Sequence, residues 1–311
     1  MATPCFSTLI IGCGAIAGGY DAMDMTGPNI LAHAKAFNTH GGFNLVGCVD
    51  RDPGIVRDFA DLWQVDRAYD DLEDALNDRE YDIISICTST PSHEVILRRV
   101  QRTSAKLILC EKPITDNIVT AREMTDLYGG RMAVNYLRRF DPEIRRLAAA
   151  IRAGQYGGLL SAKAIYNKGL YNNGSHMTDL LHMLIGPLRV IDAGEIIHDF
   201  WPDDPTLSAR LESLSNAPIT LTGTDVRQGM TFDLSLEFEQ AEISLTDYSQ
   251  ILTIRTAAGA EKVEADLNRG MYNAVVNIYD HLTKGTSLYS TAENAVPALE
   301  VCHEIRRLAG L

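Results

Sequence analysis

No stretch of this sequence approaches the roughly 18 consecutive apolar residues of a membrane span, so no membrane partner is expected. The six cysteines, Cys5, Cys13, Cys48, Cys87, Cys110 and Cys302, contain no CxxC pair, so neither a zinc ribbon nor a dithiol redox motif is expected, and no metal. Most of them sit inside short apolar runs and read as small buried hydrophobes of a reducing cytosol. Cations are scarce: 28 Lys and Arg stand against 41 Asp and Glu, a net charge of −13. An acidic surface repels phosphate backbones, which argues against nucleic acid as a partner while leaving room for one basic cleft. The start of the chain has no basic segment followed by a long apolar one. The run Leu9–Ile11 breaks at once into glycines, which argues against a signal peptide and for a cytoplasmic protein. Internal repeats and low-complexity tracts are also missing, which leaves an ordinary globular chain.

At 311 residues the chain is long for one core, so two domains are expected. The first third alternates two patterns. Apolar runs at Thr8–Ile11, Leu45–Val49, Ile83–Cys87, Leu107–Cys110 and Met132–Val134 suit parallel strands buried on both faces. Segments such as Gly54–Trp63, Leu72–Leu76 and Glu94–Arg102 carry helical spacing between them. Alternation of this kind predicts βαβ units in a doubly wound sheet. Asp141 followed by Pro142 predicts a capped helix start running to Ala153. Further on, Phe232, Leu234, Leu236 and Phe238 alternate with polar residues, as do Ala241, Ile243 and Leu245. Period-two alternation with one polar face predicts antiparallel strands. Helices are expected around Met271–Thr283 and Ala292–Leu308. The reading is α/β: a Rossmann domain at 1–135, then an α+β domain with an open, mostly antiparallel sheet at 136–311. An open sheet has to be covered, and a second copy of the chain would do so, giving a homodimer or homotetramer through that sheet.

Gly12-Cys13-Gly14-Ala15-Ile16-Ala17 follows the first strand as a GxGxxA turn. Gly12 permits the tight turn, Gly14 lets backbone approach a pyrophosphate, and Ala17 allows helix to pack on strand. The helix starting there would offer its N-terminus to the phosphates. Asp50 ends the next strand and can accept both ribose hydroxyls, which favours NAD. Arg51 beside it can meet a 2′-phosphate, which keeps NADP open. From Gly14 to Asp50 is 36 residues, more than the usual spacing of about 20. The excess is Gly19–Asn29, a loop interrupting or following a short first helix. It carries Tyr20, Asp21, Asp24 and Gly27 and is expected to be a substrate-proximal lid. Thr88, Ser89, Thr90 and Pro91 follow a strand end and can line the cofactor, with His93 either touching it or structural. Cys110-Glu111-Lys112-Pro113 closes the next strand. There the cation of Lys112 can stabilise a developing alkoxide, and Pro113 holds the bend.

GCGAIA, VDRDP, STPSH, CEKP and Asn135 with RRFDP, in this order, resemble the Gfo/Idh/MocA family of glucose–fructose oxidoreductase and inositol dehydrogenase. The resemblance implies NAD(P)-dependent redox chemistry on a sugar, cyclitol or nucleotide-sugar hydroxyl. It places Glu111, Lys112 and Asn135 with the cofactor-binding residues. It also implies that His176, within Asn172–Asp179, is the general acid/base. Imidazole titrates near neutrality, and Asp179 lies three residues on, where a helix would let it orient His176. Asn172 stands where many members of the family carry Asp; an amide positions substrate but cannot take a proton. Lys168 would suit an anionic group on the substrate, and Arg139, Tyr166 and Tyr171 are candidates for the wall. Lys112 and His176 are expected to converge on the nicotinamide. The alternatives are a non-catalytic dinucleotide-binding regulator and an NAD-dependent glycosidase.

Overall fold

The structure is a computed structural model and describes residues 5–311. The chain begins β1 (Phe6–Ile11), α1 (His33–His40), β2 (Phe43–Val49), α2 (Pro53–Trp63), β3 (Arg67–Tyr69), α3 (Leu72–Asp78), β4 (Ile83–Ile86), α4 (His93–Val100), β5 (Leu107–Cys110), α5 (Ile118–Tyr128) and β6 (Met132–Val134). It continues through α6 (Pro142–Arg152), β7 (Leu159–Tyr166), α7 (Ser175–Ile185), β8 (Leu188–Trp201), β9 (Asp204–Ser213), β10 (Pro218–Gly223), β11 (Phe232–Phe238), β12 (Ala241–Thr246), β13 (Ile251–Thr256) and β14 (Gly259–Glu264). It closes with α8 (Gly270–Lys284) and α9 (Ala292–Leu308).

Two compact units emerge. Among the described residues, one comprises 5–140 with 268–293; the other comprises 141–267 with 294–311. The single cut after residue 135 expected from the sequence therefore needs two changes. The turn Leu137–Phe140 stays with the first unit, and α8 returns to it. Met271, Val275 and Ile278 of α8 join Phe37, Phe43 and Ile10 in that unit's apolar core, which makes the return energetically useful.

The first unit is built on a six-stranded parallel sheet in the order β3-β2-β1-β4-β5-β6. All four residues of β4 and of β5 are buried, as continuous apolar runs between two helical layers should be. The order reverses between β1 and β4, and open α/β sheets bind ligands outside the carboxyl ends at such a point. Edge strand β3 has no apolar run to reveal it; its three residues are exposed or half-buried. Caps fix the helix starts. Asp52 accepts from the amides of Gly54 (2.8 Å) and Ile55 (3.1 Å), with Pro53 first in α2.

The second unit holds an eight-stranded sheet in the order β14-β13-β12-β11-β7-β10-β9-β8. Every neighbouring pair is antiparallel except β10 with β7. One face packs on α6, α7 and α9 through residues including Leu147, Leu181, Ile305, Ala164, Leu234 and Ile243. The alternation from Phe232 to Leu245 follows from this, since only one parity of each strand meets the helices. As the sequence predicts, Asp141 caps α6, accepting from the amides of Glu143 and Ile144 at 2.9 Å each. Among the described residues no helix is long and apolar enough to cross a membrane. Cys5 is exposed, and the other five cysteines are buried free thiols.

Candidate active site

At the carboxyl edge of the parallel sheet, the glycine turn leaves β1 with Gly12 at φ +90°, a backbone that an L side chain rarely adopts. A Cβ on Gly12 would lie 2.8 Å from Thr88 Cγ2 and 2.9 Å from Thr88 N. A Cβ on Gly14 would meet no atom within 4 Å, so the surface above it is open. Ala17 is fully buried. The carboxylate of Asp50 accepts from Cys13 N at 2.9 Å, tying the turn to the end of β2. Its other oxygen accepts from Asp52 N at 3.1 Å.

The helix expected to start at this turn is interrupted after little more than one turn. Ile16 O accepts not from residue 20 but from His33 N at 3.1 Å, and Ala17 O accepts not from residue 21 but from Ala34 N at 2.8 Å. Both offsets exceed the helical four by 13 (33 − 20 and 34 − 21). The helix leaves its axis, makes a 13-residue excursion and resumes in register as α1. Subtracting those 13 residues from the 36 between Gly14 and Asp50 leaves 23, close to the usual spacing of about 20. Within the excursion Asp21 is 2% exposed and accepts from Leu31 N (2.9 Å) and Ala32 N (2.8 Å). The buried ammonium of Lys35 meets Asp21 at 3.8 Å and Asp24 O at 2.5 Å. The outer part is open to solvent, with Met23 98% exposed.

Glu111, 8% exposed, takes two hydrogen bonds on one oxygen: from His33 Nε2 at 2.8 Å and from Asn135 Nδ2 at 2.5 Å. The other ring nitrogen of His33 lies 2.8 Å from Ser85 Oγ. Burial opposes the charge of His33, but contact with Cys87 and with Glu111 outweighs it and raises its pKa to about 10. Burial likewise opposes ionisation of Glu111, yet His33, Asn135 and Lys112 hold its pKa below the ordinary value. Two buried polar atoms on this edge, Thr88 Oγ1 and Asn135 Oδ1, meet no protein group. Lys112 itself is half-buried.

His93 departs from the expectation of cofactor contact. It is fully buried, with Nδ1 2.9 Å from Pro113 O and Nε2 2.9 Å from Thr88 O. Both ring nitrogens face carbonyls of the two strand-end loops, so the ring ties those loops together and has no polar edge left for a ligand. Ser89 and Pro91 are exposed, Thr90 half-buried and Arg51 exposed.

In the second unit, α7 is preceded by a π-helical segment, Gly169–Gly174, that carries Asn172. Its first amides would be orphans. The β8–β9 hairpin supplies acceptors for them. Asp199 accepts from Lys168 N (2.8 Å), Thr206 Oγ1 from Gly169 N (2.8 Å), and Asp204 from Tyr171 N (2.8 Å) and Asn172 N (2.9 Å). Lys168 sits at φ +69°, with its ammonium 4.7 Å from the ring centre of Phe200. His176 and Asn172 are half-buried, and Asp179, on α7 with His176, is 1% exposed. Tyr166 is not a wall residue. It is fully buried, donating to Leu207 O (2.8 Å) and accepting from Leu207 N (3.1 Å), because it shares the inward parity of Ala162 and Ala164. Arg139, 6% exposed, falls in the first unit. The sequence reading missed His33, Ser85, Asp199, Asp204 and Thr206, none of which lies in a recognisable motif. Among the described residues no group of three or more His, Cys, Asp or Glu is placed to hold a metal ion.

Residues 6–134 match the oxidoreductase family Gfo/Idh/MocA, described by its NAD-binding Rossmann fold. Over that stretch, 129 of the 311 residues, the chain is similar to that family. Inositol 2-dehydrogenase 1 of Mycolicibacterium vanbaalenii is 35% identical over 104 residues, which is 32% of this chain and 30% of that protein. Inositol 2-dehydrogenase of Rhizobium meliloti is 26% identical over 270 residues, 85% of this chain and 72% of that one. Several of the curated relatives thus match over only about a third of their length. Among solved structures, the WlbA dehydrogenase of Bordetella pertussis, crystallised with NADH and UDP-GlcNAcA, superposes with a TM-score of 0.81 at 15% identity, covering 98% of this chain and 96% of that one. An oxidoreductase of Agrobacterium radiobacter, crystallised with NAD+, L-tartaric acid and magnesium, gives 0.79 at 15% identity, covering 98% and 96%. At such identities these two establish the fold alone.

Proposed function

We propose that this protein is an NAD(P)-dependent oxidoreductase of a CH–OH group on a sugar, cyclitol or nucleotide-sugar. The observation that carries the reading is the carboxyl edge of the parallel sheet. There the open turn at Gly14, the Asp50 carboxylate and Lys112 share one edge with two buried polar atoms that no protein group satisfies. Those features fit a dinucleotide. Gly12–Ala17 would hold the pyrophosphate and Asp50 the adenosine ribose, with Thr88 and Asn135 offering buried polar atoms to the rest of the molecule. Asp50 favours NAD; exposed Arg51 is the residue that would admit the 2′-phosphate of NADP. When bound, the nicotinamide supplies or accepts the hydride.

The chain's own residues handle charge and proton. Lys112 stabilises negative charge on the substrate oxygen. His176 takes that oxygen's proton during oxidation and returns it during reduction. Asn172 positions a hydroxyl, since its amide can donate and accept but not act as a base. Asp179, buried behind, orients His176. Lys168 and Arg139 are assigned to anionic or polyhydroxylated parts of the substrate. The inositol 2-dehydrogenases among the relatives favour a cyclitol, and the UDP-GlcNAcA complex a nucleotide-sugar. The open face of the eight-stranded sheet, lined by Ser161, Lys163, Asp233 and Ser235, is assigned to pairing with a second copy as dimer or tetramer.

The test is nicotinamide absorbance against a panel of sugars, cyclitols and nucleotide-sugars. Lys112→Ala and His176→Ala should each lower turnover by roughly 10²–10⁴ while NADH still binds. Wild-type rates in both variants would overturn the assignment.

A further inference from the structure

The sequence motif ends at Glu111-Lys112, but the structure puts a fully buried histidine behind it. His33 opens α1, where the excursion rejoins the helix, and it is 78 residues from Glu111 in sequence. Its Nε2 lies 2.8 Å from Glu111 Oε1, and its Nδ1 lies 2.8 Å from Ser85 Oγ. Asn135 Nδ2 shares the same carboxylate oxygen and keeps its own Oδ1 unpartnered. The groups around the pair are Ser85 within β4 and Cys87 just after it, Cys110 and Lys112 at β5, Asn135 after β6, and Met271 of α8 at 3.7 Å from Asn135 Nδ2. Burial raises the Cys110 thiol well above its ordinary value, so Cys110 brings no charge to the pair near neutrality.

Two charged partners compete for one carboxylate. A buried, unpaired Glu111 would be costly, and it would cancel the positive charge on the lysine bonded next to it in sequence. A second cation behind it removes both problems. We propose that His33 is a positioning residue for Lys112: as an imidazolium it neutralises Glu111 from the interior. This offsets the negative charge that Glu111 would otherwise set against Lys112, and it fixes Asn135 with its carbonyl unspent. The excursion thus does more than lengthen a loop, because its return point delivers the imidazole.

The role in turnover rests on the redox reading above; the charge state of the ring does not. The ring is therefore tested directly, by long-range nitrogen–proton NMR of histidine-labelled full-length protein, with the His33→Gln spectrum assigning the signal. Both nitrogens of His33 should carry protons at pH 7.5, and the second proton should be lost in Glu111→Gln. One bare nitrogen in the wild type at that pH overturns the proposal. His33→Gln keeps one amide donor toward Glu111 without its charge. It should lower kcat by roughly tenfold or more with the NADH Kd and melting temperature little changed. An unchanged kcat means that a hydrogen bond suffices and the charge is idle, which also overturns the proposal. If the wild type turns over no candidate substrate, the redox reading falls, and the ring spectrum alone decides whether the charge pair exists.

Discussion

Deleting residues 20–32 should splice the interrupted helix rather than destroy it. Ile16 O and Ala17 O already accept from His33 and Ala34, and in the deletant those donors become the ordinary fourth residue along. Removing a closed loop of this length returns about 2 kcal/mol of closure entropy. Against that, the buried side chain of Ile30, 3% exposed, is lost, at about 1.5–3 kcal/mol. Gly18 and Gly19 become helix interior, at about 1 kcal/mol each relative to Ala. Asp21 goes together with the Leu31 and Ala32 amides it caps, so no new orphan donors arise there. Lys35 loses Asp21 and Asp24, and with them part of the chain that covers it, so its ammonium gains access to water. The net cost is about 1.5–3 kcal/mol, within the stability of an ordinary domain.

A repair is available. A Cβ on Gly19 would have its nearest neighbour at 3.6 Å, whereas one on Gly18 would strike Trp63 Nε1 at 2.2 Å. Adding Gly19→Ala to the deletant should therefore recover up to about 1 kcal/mol, and Gly18→Ala should not. Urea denaturation followed by circular dichroism measures both, and NADH fluorescence checks whether a dinucleotide binds the deletant. If the excursion is the substrate-proximal lid, the deletant will bind NADH but turn over substrate slowly. A deletant that cannot fold even with Gly19→Ala would refute the helical register described here.

Three further outcomes are expected. Gly12→Ala, forced to φ +90° and into Thr88, should cost about 1–3 kcal/mol, whereas Gly14→Ala should leave the melt unchanged and weaken NADH binding; equal melts for the two would contradict the glycine geometry. Asp204→Ala should cost about 1–3 kcal/mol by stranding the Tyr171 and Asn172 amides, and a urea midpoint equal to wild type would count against that cap. The pKa of His33 is raised, so its stabilisation is full below its ordinary 6.5 and fades as pH climbs toward about 10. The pKa of Glu111 is lowered, so its stabilisation is present above its ordinary 4.5 and fades as pH falls below that value. Urea midpoints should consequently decline from pH 7 to 10 in the wild type and decline less in His33→Gln. Parallel declines would exclude the pair as the source.

Much of the parallel half is legible in the sequence because its signals are local. The glycine turn follows β1 directly and Asp50 follows β2 directly, and a strand buried on both faces is an unbroken apolar run. β3 is three residues at a sheet edge and leaves no such run. β8 escapes for another reason: its pairing with β9 slips register three times, so its 14 residues show no steady period of two. The return of α8 to the first unit is invisible because helical spacing says which face is apolar, not which core receives it.

The same division separates the residues expected to do chemistry from those that hold them. Lys112, Asn172 and His176 stand in short motifs, while their supports come from far along the chain: His33 for Glu111 at a separation of 78, Asp204 for Asn172 at 32, Asp199 for Lys168 at 31. Each support answers the same physical demand, that a buried charge or an orphan amide be met. That demand could have been stated from the sequence for Glu111, which closes an apolar strand with no cation facing it from within. The identity of the answering group could not, since a histidine before Ala34-Lys35-Ala36 looks like any helix residue until the excursion carries it to the sheet. A carboxylate at the end of a buried strand therefore implies a hidden partner, and the place to look for it is the segment whose length does not fit.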